Sequence, residues 1–277
     1  MLQRPRPARG RALLYAVLLV AALTCMVMLR ECSIFRSYRI PYLPSSGDTL
    51  DVAIEYSPMS LYRYDDTLGG FNYDVIREIA RQKGLPLKFH PLTNISQGLD
   101  GLDSHKYDIL VADVARTTDM QDRVIFTELS FLDKQVLVQM RDSVTRKGRV
   151  QTQIELGGDT VWVPKGSPAV SRLHNLSREI GREIPVKESD EYGSEQLFML
   201  TSLGQIPMAV VNEATALRLA KDYPQVDVSL GISFTQFQSW LIARDRQQLA
   251  DSINAALIDF KETDAYARLA KRYRLHR

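Results

Sequence analysis

Residues 50–86 read LDVAIEYSPMSLYRYDDTLGGFNYDVIREIARQKGLP, and this stretch decides the fold. Leu50-Asp51-Val52-Ala53-Ile54 alternates and has the length of a strand. Pro58 ends it, because proline brings no N–H to a ladder. Asp65-Asp66 and Gly69-Gly70 mark a turn. Asn72 stands where a helix cap is favoured, ahead of Val75, Ile76, Ile79 and Ala80 at helical spacing. Gly84 and Pro86 supply the stop. A strand, a turn and a helix of this size make the first half of a βαβ unit.

Moving outward, Leu87 to His90 predicts a second strand, Gln97 to Leu102 a short helix, and Tyr107 to Ala112 an apolar strand. Strand–helix–strand order implies an α/β lobe with a largely parallel sheet. Val136 to Gln139 predicts another strand and Arg141 to Arg149 a polar connection. A second series follows, with strands at Thr160–Val163, Ile184–Lys187, Met208–Val211 and Val226–Leu230. Its helices are Ser167–Ile180, opened by Ser167 with Pro168 at the first position, Ser194–Leu203, and Glu213–Lys221. Trp240–Ala243 predicts a strand. A long helix comes next, carrying Leu249, Ile253, Leu257 and Phe260, and then a last one capped by Asp264. About 235 residues suit two lobes of roughly 100 each.

Toward the N-terminus, Ser33 to Gly47 predicts a linker with Pro41 and Pro44. Before it, Ala12 to Leu29 runs without a charge. At 1.5 Å per residue this spans roughly 27 Å, close to a bilayer core. Arg4, Arg6, Arg9 and Arg11 precede it, so the expectation is a cytoplasmic N-terminus (1–11), one transmembrane helix (12–29), a linker (30–47) and a body on the outer face of the inner membrane. Two alternatives stay open: lipidation at Cys25, and a cleaved signal peptide. Cys25 and Cys32 are the only cysteines, so the body expects no disulfide.

Composition excludes several functions. The net charge is +2, but residues 1–39 hold seven Arg and one acid, leaving 28 basic and 32 acidic residues in the remainder. That body is mildly acidic, without the electrostatic footprint of a nucleic-acid binder. His90, His105, His174 and His276 show no metal-ligand spacing. Nucleophile elbow, P-loop and dinucleotide fingerprints are missing. The expectation is no cofactor, no metal and no catalysis.

Three sets of residues carry a resemblance. The first is Leu50–Ile54, Ser57-Pro58, Gly70-Phe71-Asn72-Tyr73-Asp74 and Gly84. The second is Lys106-Tyr107-Asp108, Ile109–Ala112, Thr117 and Phe126-Thr127. The third is Leu249 to Leu257 through Ala270-Lys271-Arg272-Tyr273. In this order and spacing the chain resembles family 3 of the bacterial extracellular solute-binding proteins over residues 49–275. Phe71-Asn72-Tyr73-Asp74 and Tyr223 to Leu230 are also similar to the non-catalytic domain of the membrane-bound lytic transglycosylase F family. The expectation is that the catalytic domain of those enzymes is absent.

The resemblance implies a two-lobed periplasmic-binding-protein type II fold with a central cleft, closing by hinge motion. Expected crossings lie near Val138–Arg141 and Gly231–Phe237. Lobe one is then residues 48–138 and 236–277, and lobe two 139–235. It also implies site residues. Amino-acid binders of the family hold the α-carboxylate with an Arg three residues after the Thr, and here that position is Met120. They hold the α-amino group with an Asp after the lobe-two strand, and here that residue is Asn212. With both charges missing, a free α-amino acid is a poor ligand. Some relatives are periplasmic dehydratases, but they share the Arg that Met120 replaces.

Further candidates are Arg116 as a replacement anion anchor, Asp113 at the end of the lobe-one strand, Lys165 and Ser167 before a lobe-two helix, Glu213 beside Asn212, and Tyr56 after the first strand. Several also have a local explanation: Ser167 and Asn212 as helix caps, Glu213 as an acid in a first helical turn, Asp113 as a turn cap, and Arg116 as a solvent-facing loop residue or a partner for Asp119. Expected partners are a small-molecule or short-peptide ligand, the membrane, and an ABC permease or a cell-wall enzyme. The function expected is a membrane-anchored periplasmic solute-binding protein, or else an envelope sensor binding cell-wall fragments.

Overall fold

The computed structural model describes residues 18–20, 24, 49–128, 130–141 and 149–275. Among these, no helix is long and apolar enough to cross a membrane. Nearly all of the expected span at 12–29, the linker at 30–47 and most of the connection at 141–149 lie outside the described residues. Leu43–Arg277 form one compact unit.

The first sheet is built from β1 (Leu50–Glu55), β4 (Leu87–Leu92), β5 (Ile109–Ala115), β6 (Val124–Phe126), β7 (Phe131–Asp133) and β13 (Gln236–Ala243). Its order is β4-β1-β5-β13-β6, with β7 also on β13. β4, β1 and β5 run parallel, connected through α1 (Phe71–Lys83) and α2 (Ile95–Asp103). β5 is buried at every position, as a central strand covered on both faces must be. The hairpin β2 (Tyr62–Tyr64) and β3 (Thr67–Gly69) leads into α1. The C-terminal α6 (Gln247–Lys261) and α7 (Asp264–Tyr273) pack against α1.

The second sheet follows the same plan. Its strands are β8 (Gln135–Met140), β9 (Val161–Pro164), β10 (Val186–Ser189), β11 (Met208–Asn212) and β12 (Val226–Asp227), in the order β10-β9-β11-β8-β12. β9, β10 and β11 are parallel, and β8 is antiparallel to its neighbours. Its helices are α3 (Ala169–Ile180), α4 (Ser194–Ser202) and α5 (Glu213–Leu219). Alternation along β8 sends Leu137 into one core and Val136 and Val138 into the other.

In each sheet the antiparallel strand is supplied by a segment arriving from the other lobe. The chain passes between sheets at Lys134 and returns between Gly231 and Gln236. The expected first crossing at Val138–Arg141 is instead the second half of β8 and the residue after it. The two crossings bond to each other, Leu137 N–H to the Leu230 carbonyl at 2.8 Å and Ile232 N–H to the Gln135 carbonyl at 2.8 Å. Val136 also bridges Gly231, so the start of β8 and the returning segment lie side by side where the chain passes between the sheets.

Several expected caps are corrected. α1 begins at Phe71, so Asn72 lies inside the helix with its amide in tertiary contacts. α3 begins at Ala169, and the Ser167 hydroxyl caps nothing. The last helix is capped by Thr263, whose hydroxyl accepts from Tyr266 N–H at 3.2 Å, rather than by Asp264.

Gly70 holds the entry to α1 in place. Its φ is +139°, and a Cβ there would lie 2.2 Å from the Ser60 carbonyl oxygen. Gly84 ends the helix at φ +66° in open space. Gly70→Ala is therefore expected to cost at least ~3 kcal/mol in urea unfolding, through strain plus a backbone clash. Gly84→Ala is expected to cost only ~1 kcal/mol. Equal losses would contradict this account of the turn.

Candidate functional site

The carboxyl ends of β1 and β5 face the second lobe, and it is at such strand ends that open α/β sheets bind ligands. β1 ends in Glu55, 7% exposed, and β5 carries Asp113, 4% exposed. Both line an interlobe cavity of about 20 Å³. Gln135, just past the crossing, lines it as well. Lobe two contributes Pro164, Ser167, Ser194 and Asn212, and Ile95, Val210 and Val211 form apolar wall. The ionisable lining residues are both acids.

The lobes are in direct contact. Asn94 caps α2 with its oxygen, which accepts from Ser96 N–H at 2.8 Å. Its amide nitrogen donates across the cleft to the Ser189 and Asp190 carbonyls at 3.2 and 3.0 Å. Asn212 donates to the Asp113 carbonyl at 2.8 Å, and Ser171 to Asp119 at 2.6 Å. Gly193, at the start of α4, comes so close to Thr93 that a Cβ would lie 2.1 Å from its carbonyl oxygen. The cleft is closed.

Closure buries carboxyl groups. Asp113 Oδ1 accepts from the Asn72 amide at 2.6 Å, and that amide also donates to Ser60 at 2.9 Å. The Asn72 oxygen accepts from the Trp240 indole at 2.9 Å. Burial, reinforced by the nearby Glu55, pushes Asp113 up to about 8, against the opposing Asn72 bond. Burial likewise pushes Glu55 up to about 7, although hydroxyl bonds from Ser194 and Ser57 and a backbone bond from Asp113 favour its ionised form. Asp133, beside the first crossing, is raised to about 8 by burial and then by Asp113. It accepts from Lys134 N–H at 2.8 Å and from Ala214 N–H at 3.3 Å.

Of the residues expected from sequence, Asp113, Ser167 and Asn212 meet in the cavity. The other five do not line it. Arg116 bonds Ser239 at 3.0 Å and the Thr127 carbonyl, which commits its guanidinium inside lobe one. Met120 packs on the lobe-one core. Lys165 pairs with Asp190 at 2.5 Å, half exposed, and Glu213 pairs with Lys134 at 3.1 Å. Tyr56 sits one residue beyond the lining Glu55, its N–H bonded to the Leu92 carbonyl at 2.6 Å. Glu55, Gln135 and Ser194 were missed by sequence reasoning. Glu55 was findable, since an acid ending a parallel strand lies on the ligand edge.

A family model for the bacterial extracellular solute-binding proteins, family 3, matches residues 49–276. The chain belongs to that family. Among curated relatives, a membrane-bound lytic murein transglycosylase F of Cronobacter sakazakii is 27% identical over 248 residues. The match covers 86% of this chain and 45% of the relative. The chain thus spans about half the length of such relatives. Among solved structures, an ancestral arginine-binding protein bound to arginine aligns with TM-score 0.70 at 22% identity, over 81% of this chain and 97% of the other. The substrate-binding protein of an amino acid ABC transporter aligns at 0.69 and 18%, over 82% and 99%. These likenesses establish the periplasmic-binding-protein type II fold.

For this family 3 protein the buried acids set a pH dependence. The folded state holds protons on Glu55, Asp113 and Asp133 that the unfolded chain releases from the ordinary carboxylate range upward. The unfolded chain then binds fewer protons, so stability falls as pH rises through the window from about 4 to about 8. The slope approaches ~1.4 kcal/mol per pH unit for each group fully engaged. Urea unfolding should show a lower midpoint at about pH 8 than at about pH 5. Asp113→Asn, which keeps an acceptor for Asn72, should flatten the slope. A midpoint rising across this window would contradict the assignment.

Proposed function

We propose that this chain is a membrane-anchored, non-catalytic solute-binding protein of the periplasm, capturing a small solute in the interlobe cleft by hinge closure. The observation that carries this reading is a set of buried oxygens. Asp113 Oδ2, Gln135 Oε1 and Ser167 Oγ have no hydrogen-bond partner and come from lobe one, the start of β8 and lobe two. Buried polar atoms are nearly always satisfied, so three around one cavity favour a polar guest, and at about 20 Å³ the closed cavity takes one small polar group, a water or the head group of a ligand. Because each part of the chain supplies one, a guest that bonds all three stabilises the closed form.

The ligand class follows from the missing charges. Met120 is occupied in the core and Asn212 reaches Asp113 instead of presenting a carboxylate, so the zwitterion-holding pair of the family has no counterpart here. A short peptide or a cell-wall fragment fits this reading better than a free amino acid. The uncharged stretch at Ala12–Leu29 supports the membrane anchor. With an ABC permease as partner the protein would deliver its solute. The transglycosylase relatives favour a second reading, an envelope sensor that acts on a cell-wall enzyme.

Thermal-shift screening against free amino acids, short peptides and muropeptides tests the proposal. A true ligand at 100 times its Kd adds about 2.7 kcal/mol. Peptides or muropeptides are expected to stabilise, and Gly193→Ala, which wedges the lobes apart at Thr93, is expected to weaken that ligand at least about tenfold, ~1.4 kcal/mol. A larger shift from a free amino acid would overturn the ligand class. No shift from any class would overturn solute binding.

A further inference from the structure

The ionisable groups that line the cleft are all acids. Glu55 and Asp113 are its ionisable lining residues, and no Lys, Arg or His among the described residues lines it. Further acids stand close, Glu195 to Glu55 and Asp133 to Asp113, while three nearby cations are engaged elsewhere: Lys134 with Glu213 at 3.1 Å, Lys165 with Asp190, and Arg116 with Ser239 and the Thr127 carbonyl. An anionic group here would meet no basic residue in the lining and would hold both acids in their protonated form, whereas a cation favours the ionised form of each.

The partnerless atoms give the site its direction. Asp113 spends Oδ1 on Asn72 and leaves Oδ2 buried without a bond. Gln135 Oε1 accepts only, and Ser167 Oγ has two acceptor lone pairs. Once Asp113 is ionised, its Oδ2 and Gln135 Oε1 are acceptors that call for donors, and Ser167 Oγ can accept beside them. A primary ammonium carries one positive charge and three N–H donors, which matches their number and sign. Ile95, Val210 and Val211 would flank the carbon next to the nitrogen. A quaternary ammonium brings the charge without donors, and the lining has no aromatic ring to form a cation–π cage for it.

We propose that the cleft is a primary-ammonium site: it holds its solute through a protonated amine seated among Glu55, Asp113, Gln135 and Ser167, and requires no carboxylate on the ligand. This rests on the solute-binding reading above. It places the cation on lobe-one acids rather than on the lobe-two position occupied by Asn212. The amine replaces the protons that the two carboxyls hold when the cleft closes on itself.

The test is a charge series on the full chain, read as melting temperature at about 20 mM probe. Alaninamide has an ammonium only, alanine both charges, N-acetylalanine a carboxylate only, and N-acetylalaninamide neither. Butylamine is compared with butyltrimethylammonium. Alaninamide and butylamine are expected to raise the melting temperature by ~2 °C or more. The two acetylated probes and the trimethyl probe are expected to leave it unchanged. Glu55→Gln and Asp113→Asn keep shape and remove charge, and each should abolish the amine shift while circular dichroism shows the fold retained. The inference fails if either acetylated probe stabilises as well as alaninamide, if the trimethyl probe matches butylamine, or if either variant keeps the shift. It also fails if no amine stabilises. In that case a shift from a peptide lacking a free amine leaves solute binding standing, and silence from every class removes both.

Discussion

One buried side chain joins the fold to the site. The amide of Asn72, fully buried, accepts from the Trp240 indole and donates to Ser60 and to Asp113. Those three partners come from β13, from the loop after β1 and from β5. β13 reaches lobe one only after the chain has built lobe two, so the Trp240 bond fastens the returning segment to the first helix. The Asp113 bond aims a carboxyl into the cleft. A buried amide with both donors and its oxygen bonded is worth more than separate contacts, because losing one partner leaves a polar group unsatisfied in a low dielectric.

Around this bridge the same short motif is used throughout. Gly70 N–H donates to the Tyr273 hydroxyl, which donates to Asp74, both at 2.9 Å. Phe71 meets Phe131, Tyr266 and Tyr273 edge-on at 5.5 to 6.0 Å. The segment Gly70-Phe71-Asn72-Tyr73-Asp74 therefore ties helix α7, sheet one and the cleft together. The cost appears at the cleft, where closure takes carboxyl groups out of water. Their protons, or a cation in place of them, are what make that burial tolerable.

The fold was legible because its punctuation is local. Pro58, Gly84, Pro86 and Gly204 end elements, and strands of four to seven apolar residues between amphipathic helices admit little besides an α/β sheet. The crossing was less legible. β8 reads as one apolar run whether it ends lobe one or begins lobe two, and only its pairing with β11 and β12 decides. In the site, Asp113, Ser167 and Asn212 were legible as residues at strand ends and a helix start. Arg116 and Met120 lie in the same segment, but their side chains turn into lobe one, and direction is not written in spacing. Gln135 and Ser194 carry no sequence signal of their own, because their role comes from two lobes meeting. Asn72 looks like a cap for the same reason: its partners lie 12, 41 and 168 residues away.

The chemistry of the cleft depends on whether its two carboxyls are buried and protonated in the closed protein. Carbon-13 NMR titration of the side-chain carboxyls of the full chain, assigned with Glu55→Gln and Asp113→Asn, reads this directly. The account predicts midpoints of about 7 for Glu55 and about 8 for Asp113. Midpoints for both near 4, where exposed carboxyls titrate, would contradict it.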